Sequence, residues 1–280
     1  MHYFIISSIV IMAIFFPGCM SMDAFLFNNS AKDSYELPGN TIADSLINEV
    51  KLDSDGYTLY GYWIESSGER VGITILYCHG NKDNIDEYWD RVMLLHKLGA
   101  NIFIFDYRGF GRSEGETSEE GLYADGEVAL DYVLSTQGVS PDSLCIYGYS
   151  LGNVVSIYLT ARIAPPLCLI AEAPFASANS LTQSAITIDI PPLWLTDGEF
   201  DNAEKIRDIE CPLLLFHGDS DDMVRYRDNG RIVFENAPEP KSLAFIEGAN
   251  HDDIPDIMGS DNYLSRIEEL INSSIENMPF

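Results

Sequence analysis

Apolar residues along this chain fall into two alternating patterns. Short continuous runs give way to longer stretches in which apolar positions recur every three or four residues. The first signal is a hairpin: Val50-Lys51-Leu52 and Tyr57 to Ile64 flank Asp55-Gly56, a turn pair that suits an antiparallel connection. Ile73 to Cys78, Ile102 to Phe105, Leu144 to Tyr147, Leu167 to Ala171, Leu213 to Phe216 and Leu243 to Ile246 are continuous apolar runs of strand length. Between them lie helical patterns. One carries Tyr88, Val92, Leu95 and Leu98 and stops at Gly99; others cover Leu122 to Leu134, Val154 to Ile163 and Tyr226 to Phe234. Tyr263 to Ile275 closes the chain as an amphipathic helix. Strands apolar on both faces, alternating with helices, imply an α/β fold: a mainly parallel central sheet opened by an antiparallel hairpin, with helices on both faces. Ligands of such sheets bind beyond the carboxyl ends of the strands. Residues 174–209 are weakly patterned, contain Pro191-Pro192-Leu193-Trp194, and predict a small lid insertion too short to be a separate domain.

The same pattern divides the chain into a leader at 1–19, a polar linker at 20–44 and a globular domain at 45–280. Tyr3 to Phe16 is an uncharged run of 14 residues, the length of a signal-peptide core and shorter than the roughly 18 apolar residues of a spanning helix. Phe16-Pro17-Gly18-Cys19 resembles the lipobox of bacterial lipoproteins, which implies lipidation at Cys19. Phe16 stands where a Leu-like residue is usual, and Met1-His2 carries no Lys or Arg. The expectation is an exported, membrane-anchored protein, with plain secretion and an uncleaved signal anchor as alternatives.

Charge narrows the partners. Sixteen Lys and Arg against 44 Asp and Glu give a net charge of −28, which repels phosphate backbones and argues against nucleic acid. It also disfavours polybasic attachment to anionic membranes, so membrane association is expected through the N-terminus alone. The five cysteines form no C-x-x-C pair, and no His cluster has metal-ligand spacing, so neither a metal nor a disulfide framework is expected. Cys78, Cys145, Cys168 and Cys211 read as small buried hydrophobes.

The chemistry concentrates after the strands. Gly148-Tyr149-Ser150-Leu151-Gly152 is a G-x-S-x-G match between a strand and a helix, the setting of a nucleophile elbow. The reversal there is so sharp that neighbouring side chains must be small, and the following amides form an anion-binding helix N-terminus. A serine hydroxyl needs a base, and His251 lies in a loop after the last strand, in the order Ser, acid, His. The acid belongs after Leu213 to Phe216, where position alone leaves Asp219, Asp221 and Asp222 open.

These motifs resemble those of the α/β-hydrolase superfamily over nearly the whole chain after the leader. The closest aspect is the small-lidded group of Bem46-like proteins and the alpha/beta hydrolase domain-containing types 17 and 13. His79-Gly80-Asn81 is similar to the family's oxyanion loop, Asp106-Tyr107-Arg108-Gly109-Phe110-Gly111-Arg112-Ser113 to its D-Y-R-G-x-G-x-S loop, and His217-Gly218-x-x-Asp221-x-x-Val224 to its acid loop. The resemblance selects Asp221 as the acid and implies the backbone amides of Asn81 and Leu151 as oxyanion donors. Asp106 and Arg108 read as structural, and Asn153 is a departure where a small residue often follows Gly152. The implied activity is hydrolysis of a carboxylic ester or thioester through an acyl-enzyme, on a small or lipid-like acyl ester or an acylated protein, with no cofactor. A serine peptidase of the same fold and a non-catalytic binding protein are the alternatives.

Overall fold

The computed structural model describes residues 27–68, 72–162, 165–185 and 198–278, with the side chains of 183–185 excepted. The leader, Cys19 and Pro191 to Trp194 lie outside them. Among the described residues no helix is long and apolar enough to cross a membrane.

Strands β1 (Ile47–Ser54) and β2 (Tyr57–Ile64) pair antiparallel, with Ser54 opposite Tyr57. The turn between them places Asp55 at φ 54° and Gly56 at φ 86°. Two successive left-handed residues match the twist of the flanking strands, which is why the Asp-Gly pair sits there. The remaining strands are β3 (Thr74–Cys78), β4 (Asn101–Phe105), β5 (Leu144–Tyr149), β6 (Cys168–Glu172), β7 (Leu213–Gly218) and β8 (Lys241–Ile246). Their order is β1-β2-β4-β3-β5-β6-β7-β8. β2 runs antiparallel to β4, and every pairing from β4 onward is parallel.

Helices cover both faces. Alternate residues of the central strands divide between two apolar layers, as a period of two requires. Leu76, Cys78, Leu144 and Ile146 join one layer with helices α2 (Glu119–Asp131) and α3 (Gly152–Arg162). Ile75, Tyr77, Cys145 and Tyr147 join the other with α1 (Trp89–His96) and, at the chain's end, α8 (Ser260–Glu276). Every residue of β3 and β5 is buried, so each contributes to both layers.

Shorter helices fill the connections: α4 (Ala178–Ala185), α5 (Asn202–Lys205), α6 (Gly230–Asn236) and α7 (Ile254–Met258). Two helical expectations need amendment. The pattern from Leu122 to Leu134 begins as α2 and passes into a π turn at Tyr132–Thr136. The pattern from Tyr226 to Phe234 is broken into a 3-10 turn, Tyr226–Asp228, and α6. The break falls at Asn229, whose Oδ1 accepts the Ala176 N–H at 3.1 Å and the Ser180 hydroxyl at 2.8 Å. These tertiary bonds hold the backbone at φ −133°, ψ −85°, away from helix.

Residues 27–43, within the stretch read as polar linker, lie against the domain. Phe27 is buried edge-on to Phe110 and Phe200, and isolated bridges join Asn29 to Asp83 and Ala31 to Gly111.

Asp106 and Arg108 fix the loop after β4. Asp106 Oδ1 accepts the Ile85 N–H at 3.0 Å. Arg108 donates from Nε and Nη2 to Asp125 Oδ1 at 3.0 and 2.7 Å, and its backbone N–H reaches Asp125 Oδ2 at 2.7 Å. Ser54 at the end of β1 donates to the same carboxylate at 2.8 Å. One buried aspartate on α2 thus ties the hairpin to the loop after β4. Asp125→Ala would remove the buried carboxylate and leave the guanidinium only Ser54 and the exposed Asp55, at a cost of about 3 kcal/mol. The expected result is a fall of that size in the urea unfolding free energy; a loss below about 1 kcal/mol would refute this role.

Candidate active site

The site lies at the carboxyl ends of β3, β5, β7 and β8. Ser150 follows β5 at φ 51°, a left-handed conformation uncommon for a non-glycine residue and here enforced by its surroundings. The enforcement is close packing. A Cβ on Gly152 would stand 1.9 Å from the Cys78 carbonyl oxygen, and one on Gly148 would stand 2.1 Å from Ser156 Oγ. The Ser150 N–H donates to the Glu172 carbonyl at 3.0 Å. Asn153 then reaches back: its Nδ2 donates to the carbonyls of Ser150 at 3.0 Å and Glu172 at 2.8 Å. The residue that departs from the family pattern therefore laces the turn to the neighbouring strand.

His251, after β8, places Nε2 2.9 Å from Ser150 Oγ and Nδ1 2.8 Å from Asp221 Oδ2. Nδ1–H donating to the carboxylate leaves the Nε2 lone pair to accept the serine proton. Of the three carboxylates left open by position, Asp221 is the one that meets the imidazole. Its other oxygen accepts the N–H groups of Met223 at 3.0 Å and Val224 at 2.7 Å, which fixes its orientation. Asp219 instead accepts from Ser220 Oγ at 2.9 Å and the Gly248 N–H at 2.7 Å. Asp222 is exposed.

Two further histidines are buried beneath the loops. His217 Nε2 lies 2.7 Å from the Val224 carbonyl, and burial lowers its pKa, so it holds the acid loop as a neutral donor. His79 stacks on Tyr88 with ring centres 4.9 Å apart and packs against Tyr107 at 4.6 Å. Its Nε2 is 3.1 Å from Asp106 Oδ1 but off the line of a hydrogen bond. His79 thereby buttresses Gly80-Asn81, and Asn81 borders the same cavity as Ser150. Leu151 is the first residue beyond the serine, leading into α3.

That cavity encloses about 700 Å³, within the range of small-molecule sites. Its wall includes Lys82, Tyr88, Arg91, Tyr149, Met223 and Asp252. Several of these carry structure that sequence reasoning passed over. Glu172 is fully buried, and its Oε2 accepts from Arg91 Nη1, the Tyr147 hydroxyl and the Tyr263 hydroxyl, each at 2.6 Å. A charged residue closing the apolar run of β6 was the available signal. The Tyr149 hydroxyl donates to Asp252 Oδ1 and lies 3.3 Å from the His251 carbonyl, so the residue before the serine pins the histidine loop. Among the described residues no group of three or more His, Cys, Asp or Glu is placed to hold a metal ion.

Comparison with known proteins agrees with this architecture: the chain belongs to the α/β-hydrolase family. Residues 70–197 match the family described as serine aminopeptidase, S33. Human alpha/beta hydrolase domain-containing protein 17B is 31% identical over 206 residues, covering 73% of this chain and 68% of its own. An uncharacterized protein of Mycobacterium tuberculosis is 30% identical over 221 residues, 79% of this chain and 77% of its own. Among solved structures, an esterase from Pyrococcus furiosus superposes with a TM-score of 0.69 at 20% identity, covering 85% of this chain and 95% of its own. Est1E from Butyrivibrio proteoclasticus, solved with ferulic acid bound, gives 0.66 at 17% identity, covering 81% and 100%. These two share the fold.

The proton affinity of His251 follows from its neighbours. Burial opposes the charge, but the hydrogen bond and charge of Asp221, joined by the charges of Asp252 and Glu172, outweigh it and raise the pKa above the ordinary imidazole value. A raised pKa means that the ring keeps its proton to higher pH than an ordinary imidazole before it becomes a free base. Asp252→Asn removes one charge that holds the proton, so the midpoint should move down. An NMR titration of the His251 ring checks this; an unmoved midpoint would show that the Asp252 charge is not felt.

Proposed function

We propose that the protein is a serine hydrolase that cleaves a carboxylic ester or thioester through an acyl-enzyme. The observation that carries this reading is the continuous relay from Asp221 through His251 to Ser150, with contacts of 2.8 and 2.9 Å, at the head of a strained elbow. Ser150 Oγ attacks the carbonyl carbon while His251 Nε2 takes its proton, and Asp221 stabilises the imidazolium. The backbone amides of Asn81 and Leu151 receive the oxyanion; donors of this kind contribute about 3–4 kcal/mol each to the transition state. His251 returns the proton to the leaving oxygen or sulfur, the acyl group remains on Ser150, and a water deprotonated by His251 releases it. The esterase folds among the structural neighbours support an ester as substrate.

An amide substrate is the second reading, favoured by the match to a family described as serine aminopeptidase. The two are separated by parallel assays with p-nitrophenyl esters of several chain lengths and with aminoacyl p-nitroanilides. The expected outcome is ester turnover and covalent labelling by a fluorophosphonate probe. Ser150→Ala should abolish the labelling and lower kcat by about 10⁴-fold or more. A folded wild-type protein that neither labels nor cleaves any ester would refute the proposal, and turnover of anilides in preference to esters would favour the peptidase.

We further propose that the leader directs export and that Cys19 carries the anchor, on the strength of the Phe16-Pro17-Gly18-Cys19 pattern behind an uncharged apolar run. Labelled palmitate should then be incorporated into the wild-type protein and be lost in Cys19→Ser. A wild-type protein that takes up no label, or equal labelling of the two, would exclude lipidation at this residue.

A further inference from the structure

We propose that residues 27–37 form a strap that positions the oxyanion loop at 79–86, making the stretch just after the leader a working part of the site. The inference rests on the reading of Asn81 as an oxyanion donor. It starts from how densely this short, irregular segment is bonded to that loop. The Asn28 N–H donates to Asn81 Oδ1 at 2.9 Å, and the Asn28 carbonyl accepts the Asp83 N–H at 2.7 Å. Asn28 thus grips Asn81 by its side chain and the backbone two residues further on, while bordering the cavity that holds Ser150.

A second grip lies at the far end of the loop. Asp86 is buried, and its carboxylate receives the N–H groups of Glu36 and Leu37 at 3.0 and 2.8 Å and the Lys32 ammonium at 2.8 Å. The strap is also anchored to the neighbouring loop after β4. Ser30 accepts the Gly111 N–H at 3.0 Å, Lys32 donates its N–H to the Gly111 carbonyl at 2.8 Å, and the Tyr35 hydroxyl donates to Asp106 Oδ2. Phe27 is seated between Phe110 and Phe200 at the segment's start.

The loop between the two grips contains no α-helix or strand; its regular structure is confined to a 3-10 turn beginning at Ile85. Within it the Lys82 N–H reaches the Tyr88 hydroxyl at 2.8 Å and the Asp86 N–H reaches Asn84 Oδ1 at 3.0 Å. An oxyanion donor acts only when it is aimed to within a fraction of an ångström, and a misplacement of about 1 Å can cost roughly a hundredfold in rate. Bonds to Asn81, Asp83 and Asp86 from outside the loop supply that constraint. Asn28 and Asp86 are positioning residues, acting through the Asn81 amide.

The test uses the full-length chain with Asn28→Pro, which deletes the N–H donated to Asn81, and Asp86→Ala, which deletes the acceptor at the other end. Hydrogen exchange at amides 80–83 should quicken in both. With p-nitrophenyl esters, kcat should fall about tenfold or more while KM stays within about twofold, because the lost constraint is felt in the transition state. Affinity for phenylboronic acid, which forms a tetrahedral adduct on the serine, should fall in step with kcat. Asp86→Asn, which keeps an acceptor oxygen, should restore most of both. Unchanged exchange at 80–83, or kcat and boronate affinity unchanged in well-folded variants, would overturn the proposal. Should the wild type fail to label with a fluorophosphonate, the hydrolase reading falls, and the exchange result alone decides the strap.

Discussion

The contact on which the molecule turns is the approach of Gly152 to the carbonyl of Cys78. The first turn of α3 passes so close to the end of β3 that a single methyl group at position 152 would overlap a backbone oxygen. That proximity lets the chain reverse directly out of β5, and the reversal holds Ser150 at a positive φ. Ordinary sheet and helix geometry does not produce such a turn; the bonds from Ser150 and Asn153 to the Glu172 carbonyl sustain it. Glu172 is in turn immobilised by Arg91, Tyr147 and Tyr263, so the strain at one residue is balanced by a buried polar cluster drawn from four elements.

Around this turn the remaining groups arrive by short loops from separate strands. β7 supplies Asp221, β8 supplies His251, and β3 supplies Asn81. Each loop has its own lock: Asp221 by the amides of Met223 and Val224, His251 by the hydroxyl of Tyr149, and Asn81 by the backbone of Asn28. The rigid sheet sets the spacing, and the loops set the aim.

How much of this was legible depended on whether the signal was local. Asp55-Gly56 announces its own hairpin, and the G-x-S-x-G pattern names its own turn, because both are demands of the backbone at those residues. The buried strands were readable as apolar runs, and their alternation with helical stretches led to the parallel sheet. Asp221 was separable from its neighbours only by resemblance, since the distinction depends on which carboxylate faces a histidine 30 residues away. Glu172, Tyr149 and Asn28 carried no local mark of their partners. The broken helix at Asn229 is of the same kind, because helical periodicity continues through a residue whose side chain is claimed by Ala176 and Ser180.

The separation of these partners along the chain also fixes when the site can come into being. Ser150 and His251 are 101 residues apart, Asn28 and Asn81 are 53 apart, and the strand that presents the histidine is the last in sequence. A nascent or partly folded chain therefore holds the serine without its histidine neighbour, and that contact forms only once the last strand is in place. Long-range pairings of this kind form late, after the loops that separate them have been closed.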